Sequence, residues 1–142
     1  VLFVYNNNAA VTSPNQRQVL KGLEREDLFT VVFEQVMTDT ALYADVILPN
    51  TTFLEAYDFA KAYGPLHMGL GRPIIDIIGE SRSNADVFGE LCRRTGVALP
   101  GDPETDDALA EALLASTPRG GALRAALDRG ESVVADSDVS GH

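Results

Sequence analysis

The chain has 142 residues, 45% of them hydrophobic, a formal net charge of −10 and a sequence pI near 4.4. That length is about one domain; so acidic a balance leaves no basic face to track phosphates and excludes nucleic acid as a partner, and no apolar run approaches the roughly 18 residues of a membrane span, so direct membrane insertion is not expected. The single cysteine, Cys92, excludes an internal disulfide and any zinc or iron–sulfur site held by thiolates alone.

Val1-Leu2-Phe3-Val4-Tyr5 reads as a first buried strand with an abrupt polar stop. It opens without Met and without the charged leader of a secretory signal, as a piece of a longer polypeptide would. Asn6-Asn7-Asn8 is a turn signal, because Asn tolerates left-handed backbone and its amide bonds local main chain. A helix follows, with Ser13, Pro14 and Gln16 as a capping box (N-cap, N1 and N3), Val19, Leu20 and Leu23 as its inward stripe, and its end near Glu26 and Asp27. Phe29-Thr30-Val31-Val32-Phe33 is the second strand, and Asp45-Val46-Ile47-Leu48, stopped by Pro49, is the third. Apolar runs that do not alternate suit strands buried on both faces, as in a parallel sheet. Strand, helix and strand then make a right-handed βαβ unit. Its loop carries neither a G-x-G-x-x-G nor a G-x-x-x-x-G-K-[ST] motif, which argues against a nicotinamide, flavin or P-loop nucleotide.

Between the second and third strands lies Glu34-Gln35-Val36-Met37-Thr38-Asp39-Thr40, a polar segment that no hydrophobic pattern requires. It falls just past the carboxyl end of a strand, where open α/β sheets bind ligands. The spacing predicts a short helix over 38–44 with Thr38 as cap.

Beyond Pro49 the sequence predicts a long irregular stretch and a strand over 74–78. A helix over 83–95 follows, capped by Ser83 and ended by Gly96, with Val87, Phe88, Leu91 and Cys92 on its apolar stripe. Cys92 therefore reads as a packing residue. A break at 100–103 precedes an Ala- and Leu-rich helix over 105–116 that would dock through Leu109, Leu113 and Leu114; a second break at 118–121 precedes a short helix over 122–128. Residues 130–142 are polar and aperiodic, a frayed tail in which His142 has no ligand role. The expected fold class is α/β, a three-layer αβα arrangement with a mainly parallel sheet of Rossmann-like topology and a helical C-terminal extension. Residues 1–100 form the αβα domain and 101–142 the extension and tail.

The run from Glu34 through Thr38-Asp39-Thr40-Ala41-Leu42-Tyr43-Ala44-Asp45-Val46-Ile47-Leu48-Pro49 resembles a segment of the molybdopterin oxidoreductases of the dimethyl sulfoxide reductase family. There a strand ending in an acidic residue leads into "(M/F)-T-(D/E)-T-A-x-x-A-D-(V/I)-(V/I)-L-P". The resemblance takes in Val4-Tyr5-Asn6-Asn7-Asn8 upstream and Leu54-Glu55, 79–84 and the helix ending at Gly96 downstream, about two thirds of the chain. It implies one of two αβα domains that each hold a molybdopterin guanine dinucleotide, with molybdenum or tungsten bound between the two in the full-length parent. On that resemblance Asn6, Asn7 and Asn8 approach the nucleotide phosphates or ribose, Glu34 takes the guanosine end, and Thr38 and Thr40 lie near the pyrophosphate. Two positions depart from the pattern. Asn8 stands where many relatives have proline, which implies a looser turn, and Glu34 stands where Asp is usual. Over 63–68 the family's usual text is replaced, which leaves the substrate open, and Glu55, Asp58, Tyr63 and His67 lie where the family's chain continues past the cofactor.

Bland readings stand beside these: a plain turn for 6–8, an ordinary N-cap for Thr38, and for Asp45 a strand-end side chain satisfying nearby backbone. The family's cysteine cluster for a 4Fe–4S centre, its metal ligand and its carboxyl-terminal barrel have no counterpart in these residues, so no catalytic or metal-ligating residue is expected here. A 4Fe–4S centre would belong to the amino-terminal part of the parent. The implied partners are the remaining domains of the same polypeptide and the guanine dinucleotide, and the implied role is to anchor that cofactor within an oxidoreductase. The alternative is a non-enzymatic α/β interaction module that has lost the cofactor. A response-regulator-like domain ranks lower, because Asn6 to Asn8 occupy the place of its acidic cluster. Compartment is left open, with the cytoplasm slightly favoured over the periplasm.

Overall fold

The structure is a computed structural model and describes residues 1–61, 67–116, 120–131 and 133–134. The chain divides into two units: residues 1–51 with 79–82, and 52–78 with 83–142.

The first unit holds a three-stranded parallel sheet in the order β1 (Leu2–Tyr5), β2 (Thr30–Glu34), β3 (Val46–Pro49). This is the α/β class expected from the sequence. In the central strand Val32 and Phe33 are both buried, one on each face, as strict alternation requires. Val32 packs with Val4 and Ala41. On the opposite face Phe33 is fully enclosed, stacked on Tyr5 with ring centroids 5.8 Å apart and edge-on to Phe3 at 6.5 Å. Enclosing such a ring contributes about 1.5–3 kcal/mol.

The crossover differs from expectation. A short helix α1 (Ala9–Thr12) precedes α2 (Gln16–Leu23), and no capping box forms. Ser13 instead ends α1, Asn15 takes a left-handed φ of 56°, and the Gln16 amide donates to the Ala10 carbonyl at 2.8 Å. That carbonyl lies at the end of a one-turn helix, where no intrahelical N–H remains for it, and so it captures the side chain expected to cap α2. The inward stripe holds: Leu23 is buried, and Val19 and Leu20 are half-buried. After β2, residues Thr40–Tyr43 form a 3₁₀ turn rather than an α-helix, with the Thr38 hydroxyl accepting from Ala41 N at 3.3 Å. Asp45 closes the base of the sheet: its N donates to Thr30 O at 2.9 Å and its Oδ2 accepts from Thr30 N at 2.7 Å. The returning segment 79–82 bridges β3's end, with Arg82 N donating to Pro49 O and Thr51 N to Arg82 O.

The second unit carries an antiparallel sheet, β4 (Asp58–Lys61), β5 (His67–Gly71) and β6 (Val133–Val134), in that order. The sequence predicts an irregular stretch from Asn50 up to a strand over 74–78. Gly69 and Gly71 disguise β5, since glycine is depleted in strands. The N–H groups of Ile74 and Ile75 bond Leu54 O, and that of Ile78 bonds the Glu55 carboxylate, so three of the five N–H groups over 74–78 are drawn away from a ladder. Tyr63 to Leu66 lie outside the described residues, as do 132 and 135–142 of the expected tail, whereas Val133 and Val134 pair with β5.

α3 (Asn84–Thr95) is as its sequence predicts: Ser83 Oγ accepts from Asp86 N at 3.3 Å, and Gly96 closes it at φ 74°. Of the expected apolar stripe Val87 is buried, Leu91 and Cys92 are half-buried, and Phe88 is exposed. α4 (Asp106–Ala115), capped by Thr105, buries Ala110 and Leu114 but leaves Leu109 and Leu113 nearly half exposed, so of the three leucines expected to dock it one does. α5 (Gly120–Asp128) takes in Gly120 and Gly121, which the sequence places in the break before it. Among the described residues no helix is long and apolar enough to cross a membrane.

Glu55 is a buried carboxylate that gathers the 52–78 excursion. It accepts from Thr52 N and Thr52 Oγ1 with one oxygen and from Ile78 N with the other, at 2.7–2.8 Å. The Thr52 and Ile78 N–H groups, then the Thr52 hydroxyl, hold its carboxyl below the usual carboxylate range. A depressed carboxyl stabilises the fold above its unfolded value of about 4.3 and ceases to do so as pH falls through the folded value. Glu55→Gln should therefore flatten the acid-side dependence of urea unfolding, and an unchanged pH profile would refute this role. Thr30 Oγ1 is fully buried with no partner among the described residues. Thr30→Val should raise stability by about 1 kcal/mol, seen as a higher urea midpoint, because a desolvated hydroxyl without a partner is removed and the Thr30 N–H bond kept.

Candidate functional site

Parallel pairing sets where the polar loops lie. With Tyr5 opposite Phe33, the chain leaves β1 at Asn6 and β2 ends at Glu34 on the same edge of the sheet, one strand apart. Glu34 is in turn opposite Pro49. The carboxyl-terminal rim thus carries Asn6, Asn7, Glu34 and the 35–39 loop side by side, where the crevice of an open α/β sheet receives ligands.

Asn6 is exposed and held in the left-handed region at φ 50°. Its amide has no partner among the described residues. Asn7 Oδ1 accepts from the Thr12 hydroxyl at 3.1 Å, which leaves its amide nitrogen outward. Glu34 Oε1 accepts from Gln35 N at 3.0 Å, and Oε2 remains without a partner among the described residues. Gln35 Nε2 donates to Thr51 O at 3.0 Å, tying the loop to the end of β3. Past Gln35, the N–H groups of Val36, Met37, Thr38 and Asp39 donate to no acceptor among the described residues, and the Val36 and Met37 side chains are about two thirds exposed.

Asn8 and Thr40 behave differently. Asn8 Oδ1 accepts from Thr40 N at 3.2 Å and Thr40 Oγ1 at 2.8 Å, Asn8 Nδ2 donates to Asp39 Oδ2 at 3.2 Å, and Thr40 Oγ1 accepts from Ala10 N at 3.0 Å. The turn is thus bonded at both ends of the Asn8 amide, rather than loosened where proline is replaced. Sequence reasoning had no signal for this pairing, because the two residues are 32 positions apart. Asp45 is spent on Thr30 at the opposite end of the sheet.

The donor set suits a nucleotide diphosphate. A carboxylate with a spare oxygen can accept from a guanine N1–H and N2–H edge or a ribose diol. Unpaired backbone N–H groups and Asn amides can face phosphate oxygens without any Lys or Arg. A groove of about 460 Å³ runs between β1 and α2, lined by Val4, Tyr5, Val19 and Leu23 among others, and touches the rim at Asn7. No cluster of three His, Cys, Asp or Glu side chains among the described residues could hold a metal.

Fold and rim together define an α/β domain built to present polar loops from the carboxyl ends of parallel strands. The chain belongs to the molybdopterin oxidoreductase family, whose model matches residues 1–94. It is 42% identical over 108 residues to the probable oxidoreductase YoaE of Bacillus subtilis, a match that covers 76% of this chain and 16% of that protein. It is 46% identical over 54 residues, 38% of the chain and 8% of the relative, to the assimilatory nitrate reductase catalytic subunit of the same organism. Among solved structures, acetylene hydratase from Pelobacter acetylenicus superposes with a TM-score of 0.74 at 22% identity, covering 96% of this chain and 19% of that one. The chain therefore spans about a sixth of the length of its YoaE relative.

Asn6→Gly should leave stability nearly unchanged, whereas Asn6→Val should cost about 1–2 kcal/mol in urea unfolding, because a β-branched residue is strained at positive φ. Equal midpoints for the two variants would count against the left-handed bend.

Proposed function

We propose that this chain anchors the nucleotide end of a molybdopterin guanine dinucleotide within a larger oxidoreductase. The observation that carries the reading is the placement of Asn6 and Glu34 on one rim by the parallel pairing of β1 and β2. Glu34 would take the guanine edge or ribose through its free Oε2. The N–H groups over 36–39, with the Asn6 and Asn7 amides, would face the pyrophosphate. When bound, the cofactor supplies the dithiolene ligands and, with its molybdenum or tungsten, the two-electron chemistry. The residues here orient it and keep its charged end fixed. The remaining domains of the parent would supply the metal's protein ligand and any 4Fe–4S centre.

The names of the relatives include a nitrate reductase and an acetylene hydratase. Such different reactions on related chains fit a segment that holds the cofactor and leaves the choice of substrate to other parts of the protein. What favours this reading over a module without cofactor is the unspent bonding capacity at the rim. The spare Glu34 oxygen and the unpaired N–H run have no structural use among the described residues.

In the complete parent protein, Glu34→Ala should lower guanine dinucleotide retention about 10- to 100-fold, since hydrogen bonds to a charged group contribute about 1.5–3 kcal/mol. The measurement is guanine nucleotide released by acid per polypeptide after dilution and gel filtration. Retention equal to wild type would remove Glu34 from the site.

A further inference from the structure

Resting on the anchoring reading, we infer that Asn8 and Thr40 are positioning residues: an amide–hydroxyl clamp, half-buried at Asn8 and buried at Thr40, that locks the loop after β1 to the loop after β2 and so sets the spacing of Asn6 and Glu34, without touching the nucleotide.

Thr40 N–H can only donate and the Asp39 carboxylate, when ionised, can only accept, so the two together fix the Asn8 amide with Oδ1 toward Thr40 and Nδ2 toward Asp39. Oδ1 then has no proton to give, and the 2.8 Å bond to Thr40 Oγ1 must use the hydroxyl's own hydrogen. The Ala10 N–H, also a donor alone, occupies a lone pair of the same hydroxyl. Thr40 is fully buried, so its one proton is committed and no phosphate oxygen can reach it. A residue whose place in the sequence points to the pyrophosphate is thereby turned inward.

Mechanically, the clamp joins two loops that covalent structure leaves independent. β1 and β2 are held side by side by their ladder, but that ladder ends at Tyr5 and Phe33. Asn8 lies three residues beyond the first end and Thr40 seven beyond the second, and between them sit Asn6, Asn7, Glu34 and the unpaired N–H run. Asn8 sits at the start of α1, whose first-turn N–H of Ala10 also enters the clamp, so the three elements are fixed as one body. Asn8 does here, through side-chain bonds, what a proline does through a rigid ring: it removes freedom from the turn that carries the Asn pair.

The test exchanges the two polar partners in the complete parent protein. Asn8→Asp sets two carboxylates face to face where an amide and a carboxylate now meet, and it should speed loss of guanine nucleotide on dilution about tenfold or more. Combining Asn8→Asp with Asp39→Asn restores one acceptor toward Thr40 and one donor–acceptor pair between 8 and 39, at unchanged net charge, and should return retention to near wild type. Thr40→Ser should retain the nucleotide and Thr40→Val should not. Recovery in the exchanged double variant supports the clamp, because general destabilisation would add across the two substitutions rather than cancel. Wild-type retention in Asn8→Asp, in a protein where Glu34→Ala loses the nucleotide, would overturn the clamp and leave the anchoring reading standing. Absence of guanine nucleotide from the wild-type parent would overturn both.

Discussion

The parallel ladder between β1 and β2 is the constraint on which everything else in the first unit depends. It puts Tyr5 against Phe33, so the enclosed ring of Phe33 fixes the register from one face while Val4 and Val32 fix it from the other. A strand buried on both faces cannot slide by one residue without exchanging its two sets of side chains. Because the register is fixed, the ends of the strands are fixed, and the polar loops that leave those ends inherit their positions. The rim is thus a by-product of packing, built of residues that contribute little to the core themselves.

The sequence made this part of the fold legible for a physical reason. Unbroken apolar runs such as Phe29 to Phe33 are what two-sided burial demands, as β2 shows, and an abrupt change to Asn or Glu marks where the strand stops; β1 and β3, read as buried in the same way, instead leave Leu2, Tyr5, Val46 and Ile47 exposed. α3 was equally plain, since Ser83 and Gly96 each answer a specific backbone need at a helix end. What could not be read were pairings between distant polar groups. Gln16 looked like a cap, yet its amide serves the Ala10 carbonyl; Asn8 looked like a loosened turn, yet it is bonded to Asp39 and Thr40. The pairing of β4 with β5 is hidden because its glycines carry no strand preference, and the isoleucines over 74–78 imitate a strand although the N–H groups of Ile74, Ile75 and Ile78 bond elsewhere.

Within the candidate site the same distinction separates side chains with free bonding capacity from those already bonded within the fold. The family resemblance pointed to six positions as a group, and sequence order could not divide them. The hydrogen bonds do divide them: Asn6, Asn7 and Glu34 keep free capacity toward solvent, Thr38 accepts one bond from the 3₁₀ turn, and Asn8 and Thr40 are bonded to each other and to Asp39 and Ala10. Asp45, also in the matched run, is accounted for by the backbone of Thr30. Polar residues near one another in a motif can thus have opposite uses, and the count of committed protons tells them apart.

The left-handed Asn15 lies in the exposed joint between α1 and α2, where a change in length would disturb no strand. Insertions or deletions around that joint alter the path of an exposed connection and leave both strands in register. A single added residue inside Leu2–Tyr5 would instead turn the aromatic face toward the aliphatic one and carry the asparagines a step away from the carboxylate they flank. Length variation in this part of the chain is therefore cheap in the connection and ruinous in the ribbon.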